Sequence, residues 1–162
     1  MMLNSLTTTV ASPLGPLTIT QQADGAVIAL QCGGQRATTT PTPSALAAPV
    51  VQALDDYFAG ASQAFKRLKL APAGTPFQQK VWQAMQQIPH GQVLTYGAMA
   101  QQLQSSPRAV GGACGANPIP LLIPCHRVVG RNGQLTGYSG GAGVETKAFL
   151  LNHEQQQRKH HV

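Results

Sequence analysis

A chain of 162 residues, 43% hydrophobic and 10% charged, can build one ordinary domain or a small domain joined to a slightly larger one. Its formal charge of +6 is unevenly spread: residues 1–60 hold one basic residue against three acidic ones, residues 61–162 ten against two. A basic second half calls for a polyanionic partner, nucleic acid before membrane, because no Lys-rich amphipathic helix accompanies it.

The first thirty-odd residues read as strands, Leu17–Thr20 and then Ala26–Leu30, with Asp24-Gly25 between them as a hairpin signal. Residues 33–43 are rich in Gly, Thr and Pro and read as a loop. From Ser44 to Phe58 an apolar rhythm of Leu46, Val50, Val51, Leu54 and Phe58 predicts a helix that Gly60 stops. Residues 70–75, LAPAGT, read as a linker between an N-terminal region, 1–70, and a C-terminal region, 75–157.

Thr75-Pro76 is a helix start, with Thr as N-cap and Pro at the first helical position. Phe77, Val81, Trp82, Met85 and Ile88 recur on one face to about Gln87, and Trp82 reads as core. A second helix spans Tyr96–Leu103. A turn of Gln104, Ser105 and Ser106 follows, and a third helix starts at Pro107 with Ser106 as its cap. Two short helices around a tight turn fit a helix-turn-helix. The tail from Gln155 to Val162 is polar and is expected to fray.

Cys32, Cys114 and Cys125 cannot all pair within one chain, and none belongs to a Cys-x-x-Cys. That fits a reducing cytoplasm and argues against a disulfide framework or a cysteine-rich zinc site. The opening MMLNSLTTTVASPLG has neither a charged n-region nor a continuous apolar run, so no secretory signal is expected. The uncharged stretch from Ala109 to Pro124 is broken by Gly, Asn and Pro and is not a membrane span. Cys32 and Cys114 read as packing residues. Cys125 differs: it follows the apolar run Leu121-Leu122-Ile123 and precedes His126 and Arg127. A neighbouring imidazole or guanidinium lowers a thiol pKa and favours the nucleophilic thiolate. In an extended chain adjacent side chains point to opposite sides, so a Cys125–His126 partnership requires a water relay or a turn.

The block from Gly74 to Glu154 closely resembles the O6-alkylguanine-DNA alkyltransferases, a family of suicide DNA-repair proteins. The resemblance rests on Phe77–Trp82, Ile88-Pro89-His90-Gly91, Thr95-Tyr96-Gly97, Arg108–Ala113, Asn117-Pro118, Ile123–Val129 and Gly137-Tyr138-Ser139-Gly140-Gly141. Ser12–Leu17 is also similar, more weakly, to the family's opening strand. The resemblance implies an α/β, ribonuclease-H-like N-terminal subdomain and a mainly helical C-terminal domain containing the helix-turn-helix.

It implies Cys125 as alkyl acceptor, His126 as its base through a water, Glu154 as the carboxylate holding that imidazole, and Tyr96 as hydrogen-bond donor to the guanine ring nitrogen N3. Asn117 matches the hinge asparagine that supports the site. Arg108 matches an arginine finger that fills the space left by a rotated nucleotide, and Ala109, Val110, Gly111, Gly112 and Ala113 match a small-residue face set against the minor groove. Tyr138, Ser139 and Gly140 match the loop closing over the base. Arg127 is read as an internal ion pair or backbone brace.

The implied partner is double-stranded DNA carrying O6-alkylguanine, met by a chain expected to be a monomer in solution and able to assemble cooperatively on DNA. Neither cofactor nor metal is expected, and the compartment is cytoplasmic. Two departures stand out: Tyr96 to Arg108 is about two residues shorter than the common family spacing, and Gly115 replaces a residue that is sometimes basic. The rival readings are a lesion sensor of the same architecture, against which the retained Cys125 argues, a helix-turn-helix regulator, and a thiol hydrolase, for which no oxyanion-hole motif is evident.

Overall fold

The computed structural model describes residues 5–32, 44–135 and 143–160, with side chains to residue 156 in the last stretch. The first half opens with a three-stranded antiparallel meander of β1 (Leu6–Val10), β2 (Leu17–Gln21) and β3 (Val27–Cys32). Along β2, Leu17, Ile19 and Gln21 are buried while Thr18 and Thr20 are half-exposed, the period of two that a strand imposes. At the expected hairpin the Ala26 N–H donates to Asp24 Oδ1 at 3.0 Å, and Gly25 turns the chain at φ +92°. Residues 12–16 are not the strand their sequence resembled, and only Leu17 enters one, as the first residue of β2. The Gly15 N–H donates to the Ser12 carbonyl at 2.9 Å and the Leu14 N–H to Ser12 Oγ at 3.0 Å, which folds residues 12–16 into the turn between β1 and β2.

Helix α1 (Ala48–Phe58) begins later than its apolar rhythm predicts. Ser44 closes a separate turn instead, accepting the Ala47 N–H at 3.2 Å, and Pro49 then occupies the first helical turn. Its buried side carries Val50, Ala53, Leu54 and Tyr57, while Phe58 is only partly covered. The expected linker is partly structured: the Val27 N–H donates to the Lys69 carbonyl at 2.9 Å and the Ala71 N–H to the Val27 carbonyl at 2.8 Å. These bonds set residues 69–71 along the edge of β3.

Helix α2 (Pro76–Gln86) starts at a complete capping box, in which Thr75 Oγ1 accepts the Gln78 N–H and Gln78 Oε1 accepts the Thr75 N–H. Trp82 is a core residue, its Nε1 donating to the Ala113 carbonyl at 2.9 Å. A Cβ on Gly74 would come within 2.5 Å of the Trp82 ring, so only glycine fits there. A two-residue strand, β4 (Leu94–Thr95), leads into α3 (Tyr96–Leu103), and α4 (Pro107–Gly115) follows; Thr95 and Ser106 cap the two helices through their hydroxyls. Gln104 makes the intervening turn in the left-handed region at φ +55°. α3 and α4 pack on each other and on α2.

A second short strand, β5 (Val128–Val129), pairs in parallel with β4, Leu94 opposite Val128 and Thr95 opposite Val129. This ladder ties the start of α3 to the segment after Cys125. The last helix, α5 (Val144–His160), continues through most of the tail expected to fray. Buried side chains of both halves, among them Leu17, Ile19, Leu54, Trp82, Met85, Ile123 and Leu150, form one cluster. Each such apolar side chain contributes roughly 1.5–3 kcal/mol of transfer free energy. Among the described residues no helix is long and apolar enough to cross a membrane.

Candidate active site

The segment from Asn117 to Arg127 is almost wholly buried, and one side chain ties its parts together beside its own backbone bonds, such as the Ile123 N–H to the Ile119 carbonyl at 2.9 Å. Asn117 Oδ1 accepts the Ile119 N–H at 2.9 Å. Its amide nitrogen donates to the Ile123 carbonyl at 2.9 Å and to Cys125 Sγ at 3.3 Å. One asparagine therefore clamps both ends of the loop and touches the thiol. Between those ends Leu121 is held at φ +79°, an unfavourable conformation for a branched residue, costing about 1–3 kcal/mol and maintained by its burial.

Cys125, His126 and Arg127 form a single 3-10 turn, not an extended run. The turn directs both basic side chains to Glu154 on α5. His126 Nε2 lies 2.6 Å from Glu154 Oε2. The Arg127 guanidinium donates through Nε to Oε1 at 2.9 Å and through Nη2 to Oε2 at 3.0 Å, while Nη1 donates to the Ile88 carbonyl at 2.7 Å. Arg127 is thus the internal brace read from the sequence. With Nε2 facing a carboxylate, the proton of the neutral ring is assigned to Nε2, and the buried Nδ1, which has no partner among the described residues, holds the lone pair.

Electrostatics correct one expectation. Burial pushes the Cys125 thiol up to about 11, and the Asn117 amide and Lys147 offset only part of that. Its sequence neighbours do not lower it, because both are committed to Glu154. The thiol therefore rests protonated, and its reactivity requires a base. Burial also holds His126 below its ordinary value, with Arg127 and Lys147 adding to the effect against the pull of Glu154. Burial alone would raise the Glu154 carboxyl, but His126 and Arg127 outweigh it and hold the group well below the usual carboxylate range.

Tyr96 stands at the first position of α3, brought towards this segment by the β4–β5 ladder. Its Oη accepts a hydrogen bond from Lys147 Nζ at 3.3 Å. Lys147 is fully buried, and that burial lowers its ammonium below the ordinary lysine value. Nothing in the sequence reading singled out this lysine. The available signal was its place three residues before Leu150 and seven before Glu154, a charged residue on a buried helical face. Tyr57 was missed as well, and its hydroxyl donates to Glu154 Oε2 at 2.6 Å.

The proposed small-residue face divides in two. Arg108, Ala109 and Gly112 are exposed and Gly111 is half-exposed, whereas Val110 and Ala113 point into the core. Five successive residues of a helix cannot share one face, so Val110 and Ala113 leave the candidate DNA surface. Gly112 and Gly111 have open space around them, leaving room for close approach. Tyr138, Ser139 and Gly140 lie outside the described residues. A cavity of about 490 Å3 lies against Pro124 and Arg127, with Tyr57, Phe65, His90 and Leu122 among its walls, but Cys125 is not in its lining.

Residues 76–156 match the family described as 6-O-methylguanine DNA methyltransferase, DNA binding domain. The methylated-DNA–protein-cysteine methyltransferase of Salmonella typhimurium is 56% identical over 103 residues, 62% of this chain; the match spans 59% of that relative's length. The protein of the same name from Mycobacterium bovis is 43% identical over 155 residues, 91% of this chain and 90% of the relative. Among solved structures, Mycobacterium tuberculosis OGT in complex with DNA has a TM-score of 0.80 at 39% identity, covering 93% of each chain. The O6-methylguanine-DNA methyltransferase of Pyrococcus kodakaraensis has a TM-score of 0.66 at 27% identity, covering 93% of this chain and 98% of that one. A likeness that runs through nine tenths of the sequence, first half included, makes this chain a member of the methylated-DNA–protein-cysteine methyltransferase family.

Proposed function

We propose that this protein repairs alkylated DNA by transferring a methyl or other alkyl group from guanine O6, and less readily from thymine O4, to Cys125 Sγ. The observation that carries the reading is the buried assembly around the thiol: Asn117 at 3.3 Å from Sγ, and a neutral His126 held at 2.6 Å by Glu154. His126 Nδ1 takes the thiol proton through an intervening water. The resulting thiolate attacks the alkyl carbon in line, forming an S–C bond as the O6–C bond breaks.

The departing guanine is a poor leaving group as an anion. Tyr96 donates its hydroxyl proton to N3, and the Lys147 ammonium stabilises the phenolate. The thioether is stable, so each chain acts once, and the acceptor being the chain's own sulfur, no carrier cofactor enters the stoichiometry.

A base within a duplex cannot reach a buried thiol, so the nucleotide rotates out of the stack at a cost of a few kcal/mol. α3 and α4 act as a helix-turn-helix set into the minor groove, with Arg108 filling the vacated space and Ala109, Gly111 and Gly112 permitting close approach. Contacts with the extruded base are assigned to Tyr138, Ser139 and Gly140 on the family resemblance alone. Residues 1–70 form a ribonuclease-H-like subdomain and 75–157 the DNA-binding and acceptor domain, and the protein works as a monomer.

Incubation with duplex carrying radiolabelled O6-methylguanine tests this. Label should pass to protein and saturate at about one methyl per chain, with peptide mapping placing it on Cys125 and Cys125→Ala abolishing it. Label that stays on the DNA with the wild-type chain would refute the assignment.

A further inference from the structure

Tyr57 stands near the end of α1, in the first half of the chain, 97 residues before the carboxylate that it contacts. Its side chain is 1% exposed. The ring is stacked on Phe65 with centroids 4.9 Å apart and lies 5.9 Å from the His90 ring, while His153 Nε2 lies 2.9 Å from the Tyr57 carbonyl oxygen. Those contacts would serve a phenylalanine equally well. The hydroxyl does something else: it donates to Glu154 Oε2 at 2.6 Å, and this oxygen is the one that His126 Nε2 meets at 2.6 Å.

We propose that Tyr57 is a positioning residue for the alkyl transfer: its phenol draws charge from the Glu154 oxygen facing His126 and so keeps that imidazole neutral, with Nδ1 free to accept the Cys125 proton. The inference rests on the role given to His126 above. A carboxylate has about four lone-pair sites. Glu154 receives His126, Tyr57, two donors of Arg127 and the Gly91 N–H at 3.3 Å. A carboxylate so supplied with donors is a weak base and a weak counter-ion for an imidazolium.

Removing the phenol concentrates charge on Oε2 and favours protonated His126. A protonated ring has no lone pair on Nδ1, so the base is lost. The sign follows: without the hydroxyl, His126 titrates at higher pH and the acid limb of Cys125 reactivity moves upward with it. The other charged and titratable groups around the pair are Arg127 of the active-site turn, Lys147 and His153 of α5, His90 after α2, and Cys125 itself. Tyr57→Phe leaves all of them in place, so a change reports the hydroxyl.

The test compares wild type, Tyr57→Phe and Phe65→Leu. The His126 midpoint is followed by NMR of isotope-labelled histidine, assigned with His126→Asn. The pH profile of Cys125 modification by iodoacetamide is read by peptide mapping. Tyr57→Phe should raise the midpoint by about half a unit or more and move the modification profile in the same direction. Phe65→Leu, which loosens the stacking but keeps the hydroxyl, should lower the urea midpoint of unfolding and leave the titration where it is. An unmoved His126 midpoint in Tyr57→Phe, or an equal shift in Phe65→Leu, overturns the proposal.

If Tyr57→Phe does not fold, fluorotyrosine incorporated into the otherwise unchanged chain supplies a stronger donor and should lower the midpoint; no downward movement overturns the proposal equally. None of these readouts uses DNA. A wild-type chain that fails to take label from methylated duplex would sink the repair reading while leaving this titration to be judged by itself.

Discussion

At the residue scale, proximity in the chain and proximity in space give opposite answers for Cys125. The motif places His126 and Arg127 beside the thiol, which alone would favour a thiolate. The 3-10 turn sends both to Glu154, and burial pushes the thiol up to about 11. The sulfur is therefore held as a thiol, and the proposed transfer needs a base to ionise it. Glu154 is the centre of this arrangement, and Glu154→Gln leaves the buried Arg127 without its counter-ion. Loss of one partner of a buried pair costs about 3–5 kcal/mol, so urea denaturation should show a midpoint well below wild type; an unchanged midpoint would mean that the pair contributes little.

The same groups set the response to acid. His126 is held below its ordinary 6.5, so the unfolded chain binds a proton there that the folded one refuses, and stability falls as pH drops below about 6.5. Glu154 is depressed from 4.5, so its contribution is complete above that value and declines below it. Urea midpoints measured at pH 7.5, 5.5 and 4 should fall in that order, and a flat series would contradict the neutral imidazole.

At the element scale, the helix boundaries of the second half were legible because their signals are local. Thr75 with Gln78, and Ser106 with Pro107, cap helices through contacts within four residues. α1 was less legible, since Ser44 has the chemistry of an N-cap yet closes a separate turn. The division of α4 into an exposed face with Arg108, Ala109 and Gly112 and a buried one with Val110 and Ala113 follows from helical period once the packing on α2 and α3 is known. Ser106→Ala removes the cap that positions Arg108 and should cost about 1 kcal/mol in thermal or urea unfolding. Arg108→Ala should slow methyl transfer from duplex at least tenfold more than from free O6-methylguanine base, because only the duplex requires flipping. Equal losses on the two substrates would exclude a flipping role.

At the scale of the whole molecule, charge and core divide the chain differently. Basic residues gather in residues 61–162, while the buried cluster runs through both halves. If the proposed binding to DNA holds, a cationic second half releases counterions on association, so affinity for duplex should fall steeply between 50 and 200 mM salt, roughly tenfold or more if several phosphates are contacted. A salt-independent affinity, measured by fluorescence anisotropy, would remove charge from the account of binding. The first half meanwhile reaches Glu154, beside the candidate site, through Tyr57.

From its residues alone the chain disclosed its family, and its motifs marked Cys125, His126, Glu154, Tyr96 and Asn117 as candidates for its site. Short motifs and caps are written in consecutive positions and need no partner from elsewhere. Lys147 beside Tyr96 and Tyr57 against Glu154 are contacts between residues 51 and 97 positions apart. No local pattern encodes such pairs, since they exist only once burial has brought separate helices together, and that same burial sets the protonation of the thiol.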